Sequence, residues 1–167
     1  VAVVGWHNAG KTSLIVELVR EAMRRGRRVA VLKHTGGGFQ VDLPGTDTDR
    51  FAQAGAEWVG IAGPTGMAWR QRWQEEWPLE QVLARVPEGI DFVILEGYKQ
   101  TPVPKIEVWR PELGRPRIVA EEELVALVIP QSGASEGVLT VAQDEVARVW
   151  DVVEQMGTLS QNHAAKA

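Results

Sequence analysis

The chain has 167 residues, of which 44% are hydrophobic, and this suits one domain with a buried core. Its formal net charge of -4 argues against a domain-wide basic footprint for nucleic acid. The absence of cysteine excludes disulfides, thiolate metal sites and thiol catalysis, and no apolar run approaches the length of a membrane span, so we expect a cytoplasmic protein.

The segment from Gly5 to Thr12 follows an apolar run and fits the pattern Gly-x4-Gly-Lys-Thr of a phosphate-binding loop. Glycines let the backbone approach an anion closely, while successive N–H groups and the start of a helix point at it. Lys11 is expected to reach the β- and γ-phosphates, and the Thr12 hydroxyl to ligate Mg²⁺. The predicted nucleotide contacts around this loop are Gly5, Asn8, Ala9, Gly10, Lys11, Thr12 and Ser13.

A helix with one apolar face is predicted from Ser13 to Arg25, and a buried strand from Val29 to Leu32. Together with the first strand they form a βαβ unit, which implies a parallel sheet. Lys33 and His34 then follow the carboxyl end of the second strand, the edge where open α/β sheets bind ligands. We predict that Lys33 adds positive charge near the phosphates. His34 either donates to a phosphate or is a structural residue.

Three aspartates, Asp42, Asp47 and Asp49, follow in a segment rich in turn-forming residues. Carboxylates beside a nucleotide can hold Mg²⁺. We predict that Asp42 binds the metal or positions water. For Asp47 two interpretations stay open, a metal contact or the cap of a short helix from Arg50 to Ala54.

A hairpin is predicted from two strands, Glu57 to Ala62 and Met67 to Trp69, around a Gly-Pro-Thr-Gly turn. A conflicting interpretation comes from three tryptophans spaced four apart, which a helix would align on one face: Trp69, Trp73 and Trp77. Under either interpretation we expect these aromatics to serve in packing or a subunit contact.

The second strong signal is an apolar strand, Phe92 to Leu95, that ends in Glu96. In phosphate-loop proteins an acid at this place holds Mg²⁺ through water or polarises the attacking water. Glu96 is therefore predicted to act in catalysis and metal binding. Lys99 and Lys105 either add positive charge nearby or lie on the surface.

The remainder of the chain predicts strands at Ile106–Trp109, Leu124–Ile129 and Val138–Val141, and a last helix from Asp144 to Met156 that Gly157 ends. We expect a single nucleotide-binding domain over residues 1–157 and a disordered tail over residues 158–167. The predicted fold is a three-layer P-loop NTPase sandwich of the α/β class. It has a mostly parallel sheet with helices on both faces and a projecting β-hairpin.

Three motifs in series, Lys33-His34-Thr35, Asp42-x-Pro44-Gly45-x-Asp47 and Leu95-Glu96-Gly97-Tyr98-Lys99, follow the phosphate loop. Because these motifs occur in this order and at this spacing, the chain resembles MobB, the family of molybdopterin-guanine dinucleotide biosynthesis adapter proteins. The resemblance implies a GTP-binding protein with weak GTPase activity that forms a homodimer. It would assist the guanylyltransferase that joins GMP to molybdopterin in its molybdenum form.

The chain departs from this pattern at Gly36, Gly37 and Gly38, where relatives often carry histidine or acidic residues. It also has no Asn-Lys-x-Asp motif, so the guanine preference follows from the resemblance alone. Two alternatives stay open. One is a small-molecule or nucleoside kinase, although no arginine-rich lid is evident beyond Arg70 and Arg72. The other is a scaffold that binds GTP without hydrolysing it.

Overall fold

The computed structural model describes residues 1–130 and 139–164, which form two compact units. The first unit combines Val1–His34 with the chain from Val86 onward, and the second is Thr35–Arg85. The described residues form eight strands, β1 (Ala2–Val4), β2 (Val29–Lys33), β3 (Trp58–Gly63), β4 (Gly66–Gln71), β5 (Phe92–Glu96), β6 (Lys105–Val108), β7 (Leu124–Ile129) and β8 (Thr140–Ala142), and four α-helices, α1 (Lys11–Arg24), α2 (Asp47–Gln53), α3 (Leu79–Leu83) and α4 (Val146–Ala164).

The first unit is organised by a six-stranded sheet in the order β2-β5-β1-β6-β7-β8. All five strand pairings are parallel, which confirms the predicted parallel sheet. Because β1 lies between β5 and β6, the loop after β1 opens at the same sheet edge as the residues after those two strands. This edge is where doubly wound sheets place their ligands.

The core of the first unit forms between the sheet and the packed pair of helices α1 and α4. Leu14, Leu18 and Ala22 recur at helical spacing along α1 and are buried. Trp150 of α4 is fully buried and meets the Phe92 ring edge-on, with 5.2 Å between ring centroids. Burial of these apolar faces stabilises the helix that carries Lys11 and Thr12.

The last helix is longer than predicted, because it runs to Ala164 and Gly157 does not end it. A Cβ at Gly157 would lie 2.5 Å from Cε1 of Phe92. The glycine therefore permits close packing of the helix, whereas the sequence pattern suggested a stop signal. Residues 158–164 of the predicted tail continue this helix. Residues 165–167 of the tail lie outside the described part of the chain, and so does Val138 of the predicted last strand.

Lys105 neither adds charge at the ligand edge nor lies on the surface, so both of its predicted placements are wrong. Its side chain is buried at the beginning of β6. The Nζ atom donates to the carbonyl oxygen of Thr101 at 3.0 Å and pairs with Oε2 of Glu123 at 2.8 Å. A buried ammonium needs such partners, because a charge left alone in the interior is costly.

The second unit contains α2, α3 and a two-stranded antiparallel sheet of β3 and β4, which confirms the predicted hairpin. Trp69 lies in β4, and residues 72–77 are not helical, so the helical interpretation of the tryptophan spacing is wrong. The Trp69 ring stacks on Trp58 across the hairpin at 6.4 Å, and Trp73 stacks on Trp77 at 4.8 Å. This hairpin exposes four large apolar side chains, those of Trp58, Ile61, Met67 and Trp69.

Within the part of the chain that the structure describes, no helix combines the length and apolar character needed to cross a membrane.

Candidate functional site

The loop between β1 and α1 has the backbone that a phosphate cradle requires. Gly5, Asn8 and Gly10 all have positive φ angles, of 149°, 62° and 100°. A Cβ at Gly5 would lie 2.4 Å from the carbonyl oxygen of Val108 on the neighbouring strand, so glycine alone fits there. Gly5 and Gly10 add no side-chain bulk at these turns, so an anion can approach the backbone there closely.

The start of α1 is also suited to an anion. Gly10 caps the helix without a side-chain hydrogen bond, and the first turn contains no acidic residue. The first N–H groups of a helix have no partner within the helix and carry a partial positive charge. A phosphate group can therefore supply the acceptor oxygens that this helix start lacks.

Lys11 lies at the centre of a group of charges. Its Nζ donates to the carbonyl oxygen of Trp6 at 2.8 Å, within the same loop. Burial lowers the pKa of the Lys11 ammonium below its ordinary value; Glu96 opposes this shift, whereas Lys99 and Lys33 add to it. Lys11, Lys33 and Lys99 thus lie near one carboxylate, that of Glu96, and a polyanion bound there would offset the excess of positive charge.

Glu96 joins the loop to the end of β2. Its carboxylate accepts a hydrogen bond from the Thr12 hydroxyl, with 3.2 Å to Oε2, and pairs with Lys33 Nζ at 3.1 Å. The predicted meeting of these three residues therefore occurs in one unit of the fold. The carboxylate and the hydroxyl are hard oxygen ligands, the type that Mg²⁺ selects.

A metal ion held by protein groups alone would need more ligands than this pair. Across residues 1–130 and 139–157, no three His, Asp or Glu side chains cluster closely enough to hold one. Mg²⁺ commonly keeps several waters and takes its other oxygens from phosphates, with only one or two protein ligands. Thr12 and Glu96 therefore fit a magnesium ion that arrives with a nucleotide.

His34 and the residues after Glu96 form a second wall beside the loop. The backbone N–H of His34 donates to the carbonyl oxygen of Glu96 at 2.9 Å, and the His34 ring lies 5.0 Å from the Tyr98 ring. Gly97 and Tyr98 both have positive φ, and a Cβ at Gly97 would lie 3.2 Å from the carbonyl oxygen of His34. The chain turns tightly here and fixes the direction in which Glu96 leaves the sheet.

Asp42 belongs to the second unit, where its carboxylate already has two partners. The Thr48 hydroxyl donates to Oδ1 at 2.9 Å, and Arg70 Nε lies 3.4 Å from Oδ2. Asp49 is buried and accepts hydrogen bonds from the Gly45 N–H and the Gln53 amide. The role of Asp42 at a metal or at attacking water stays a prediction. Asp47 is the first residue of α2, and Thr46 precedes it as the cap.

Arg110 is a site residue that the sequence reasoning missed. Its Nε donates to the carbonyl oxygen of Ala9 at 2.8 Å, and its Nη2 donates to Oε1 of Gln143 at 2.6 Å. In a trans peptide the C=O and N–H groups point in opposite directions, so holding the Ala9 oxygen also orients the Gly10 N–H. The sequence feature that could have identified Arg110 is its position just after β6, the strand that neighbours β1.

Trp6 was also missed, as one of the four unspecified positions of the loop pattern. Its ring lies between two cations, with Lys99 Nζ at 5.4 Å and Arg115 Cζ at 5.3 Å from the ring centroid. The indole N–H donates to the carbonyl oxygen of Pro116 at 2.7 Å. These contacts attach the loop to residues 110–116 and stabilise its conformation.

Comparison with known proteins finds similarity to one family. The model of the MobB family, molybdopterin guanine dinucleotide synthesis protein B, matches residues 1–130. The chain is 32% identical over 126 residues to the molybdopterin-guanine dinucleotide biosynthesis adapter protein of Haemophilus influenzae, covering 75% of this chain and 71% of the relative. It is 30% identical over 137 residues to the Escherichia coli protein of the same name, covering 75% of each chain.

Solved structures agree with this similarity. A crystal structure of molybdopterin-guanine biosynthesis protein B superposes with a TM-score of 0.71 at 26% identity, covering 93% of this chain and 97% of that one. Bacillus subtilis MobB gives a TM-score of 0.71 at 24% identity, covering 91% and 96%. The predicted P-loop NTPase-like α/β fold is thereby confirmed. Because the family model covers the described part of the chain through Pro130, this chain belongs to the MobB family.

Proposed function

We propose that this chain is a homodimeric GTP-binding adapter in molybdopterin guanine dinucleotide synthesis. It would assist the guanylyltransferase that joins GMP to molybdopterin or its molybdenum form. The observation that carries the proposal is the meeting of Thr12, Lys33 and Glu96 beside a phosphate loop, in a chain of this family. GTP is the nucleotide we propose because the relatives are named for the synthesis of a guanine dinucleotide.

The phosphate-binding part of this proposal follows from backbone and charge. In the proposed complex, N–H groups of the loop and of the first turn of α1 would bind the phosphates, and Gly5 and Gly10 allow the close approach. Lys11 supplies a positive charge that burial has partly desolvated, and a polyphosphate would stabilise this charge. Bound Mg²⁺ would neutralise negative charge on the phosphate oxygens. Thr12 and Glu96 are the residues that would hold it.

Hydrolysis by this site is proposed to be slow. Fast P-loop hydrolases stabilise transition-state charge with an arginine, worth roughly 10³–10⁵ in rate. Arg110 contacts the loop, but its Nε and Nη2 already donate hydrogen bonds to Ala9 and Gln143. Positioning and charge neutralisation would then be the main contributions of the protein.

The test of this function is a thermal-shift series on purified protein with Mg-GTP, Mg-ATP and inorganic phosphate. A ligand that binds only the folded state raises the melting temperature. We expect the largest rise with Mg-GTP and a smaller one with Mg-ATP. Light scattering on the same samples should report a dimer. Equal melting temperatures with and without each nucleotide would contradict the site, and a monomer throughout would contradict the assembly.

Glu96→Gln separates nucleotide binding from hydrolysis. The amide keeps the size of the side chain but loses the charge that would hold Mg²⁺ or polarise water. Single-turnover phosphate release from GTP should fall by about tenfold or more, whereas GTP affinity without Mg²⁺ should stay within about twofold. An unchanged rate of phosphate release would remove Glu96 from the reaction. Intact cofactor maturation by this variant would favour an adapter that binds GTP without needing to hydrolyse it.

A further inference from the structure

A cleft of about 330 Å³ lies on the first turns of α1, next to the loop that is proposed to hold phosphates. Its lining residues are Thr12, Ser13, Leu14, Val16, Glu17 and Gln143. The volume is at the lower end of the range for small-molecule sites, roughly 300–1,000 Å³. The surface is mainly apolar and includes a few polar side chains, which is the usual character of such sites.

The cleft is continuous with the phosphate site, because Thr12 and Ser13 border both. From Thr12 to Glu17 the helix advances about 7.5 Å, so the cleft leads away from the phosphates along the helix. Val16 contributes an exposed aliphatic side chain between the two ends. A ligand anchored by its phosphates at the loop would place its uncharged part over this apolar stretch.

The side-chain amide of Gln143 has a defined orientation at the inner end of the cleft. Its Oε1 accepts the hydrogen bond from Nη2 of Arg110 at 2.6 Å, so the Nε2 group is the end turned toward Gly10. A Cβ at Gly10 would lie 3.1 Å from this Nε2. The residue therefore offers hydrogen-bond donors where the phosphate loop meets the cleft.

Glu17 supplies the opposite chemistry at the outer end. Its carboxylate only accepts hydrogen bonds, and its pairing with Arg20 is an exposed i,i+3 pair that adds little rigidity. Guanine presents two adjacent donors, N1–H and the 2-amino group, that a carboxylate can accept together. Adenine presents an acceptor at N1, which a carboxylate repels.

We propose that this cleft binds the ribose and base of the nucleotide, with Gln143 donating at the phosphate end and Glu17 favouring guanine over adenine. The inference rests on the proposed nucleotide function and assigns base recognition to residues outside the phosphate loop. It gives this chain a source of guanine preference without an Asn-Lys-x-Asp motif.

The first test fills the cleft with Val16→Trp and compares Mg-GTP with inorganic tripolyphosphate by calorimetry. We expect Mg-GTP affinity to fall by about tenfold or more, and tripolyphosphate affinity to stay within about twofold. Met23→Trp places the same tryptophan side chain at an exposed position of α1 outside the cleft, and it should change neither affinity. Melting temperatures of the two variants show whether both are folded.

The second test is Glu17→Gln with GTP, ITP and ATP, where ITP lacks the 2-amino group. We expect the GTP-to-ATP affinity ratio to fall by about tenfold, and ITP to lose less affinity than GTP. Glu122→Gln, an exposed acid away from the cleft, should leave the ratio unchanged. Unchanged GTP affinity in Val16→Trp, or an unchanged ratio in Glu17→Gln, overturns the cleft assignment. If the native chain binds neither tripolyphosphate nor GTP, the proposed function falls and the cleft assignment falls with it.

Discussion

Replacing Lys11 by alanine is expected to weaken Mg-GTP binding by about 2 kcal/mol or more, roughly the cost of removing one partner of a desolvated charge pair. The loss should be large because the Lys11 ammonium is partly buried and lies beside the cradle of Gly5 to Gly10. Calorimetry on the variant and the native chain measures it directly. Because Lys11 makes its hydrogen bond to Trp6 within the loop, the fold should tolerate the substitution.

A matched control is Arg50→Ala, which removes an exposed cation from α2 in the second unit. It changes net charge by the same amount, so any general electrostatic effect on a polyanion appears in both variants. We expect Arg50→Ala to change GTP affinity by less than about 0.5 kcal/mol. Equal affinities of Lys11→Ala and the native chain would refute the phosphate site.

Gly5→Ala should cost about 3 kcal/mol of folding free energy, at the upper end of the usual range for overpacked sites. The new Cβ would lie 2.4 Å from the carbonyl oxygen of Val108, which is backbone of the neighbouring strand and cannot rotate away. Urea denaturation should show a lower midpoint with an unchanged slope. GTP binding should also weaken, because the loop must move to relieve the contact.

Gly36→Ala is the corresponding control, since its Cβ would meet no atom within 4 Å and its φ is not in the left-handed region. We expect its unfolding midpoint to match the native value or rise slightly, because alanine restricts the unfolded chain more than glycine does. A Gly5→Ala protein as stable as this control would mean that the strand-to-loop packing is looser than the structure has it.

The parts of the site that were predictable from sequence are those encoded by local pattern. The phosphate loop has a fixed spacing of glycines, lysine and threonine, and Glu96 ends a short apolar strand. Parallel strands align their carboxyl ends, so the meeting of Thr12, Lys33 and Glu96 followed from topology once the strands were assigned. The hairpin was predictable for the same reason, because its turn residues lie between two short strand patterns.

The residues that were missed act through contacts far apart in the chain. Arg110 and Gln143 have ordinary local surroundings, and their roles appear only when β6 and β8 bring them to the loop. The roles of Lys105 and Gly157 also depend on contacts with residues that are distant in the chain. By residue type, Lys105 suggested a cation at the ligand edge or on the surface, and Gly157 suggested the end of a helix. The packing of Glu123 and Phe92 against them gives each a different role.

The position of β1 between β5 and β6 has a consequence for how the protein is made. The loop leaves the ribosome before its two later partners, because Glu96 follows Thr12 by 84 residues and Arg110 follows Ala9 by 101. At translation rates of roughly 5–20 residues per second, the loop waits about 5–20 s for Arg110. Until Glu96 and Arg110 have been synthesised, the phosphate loop lacks both partners and the nucleotide site is incomplete. Nucleotide can act as a folding ligand only after synthesis has passed both partner strands.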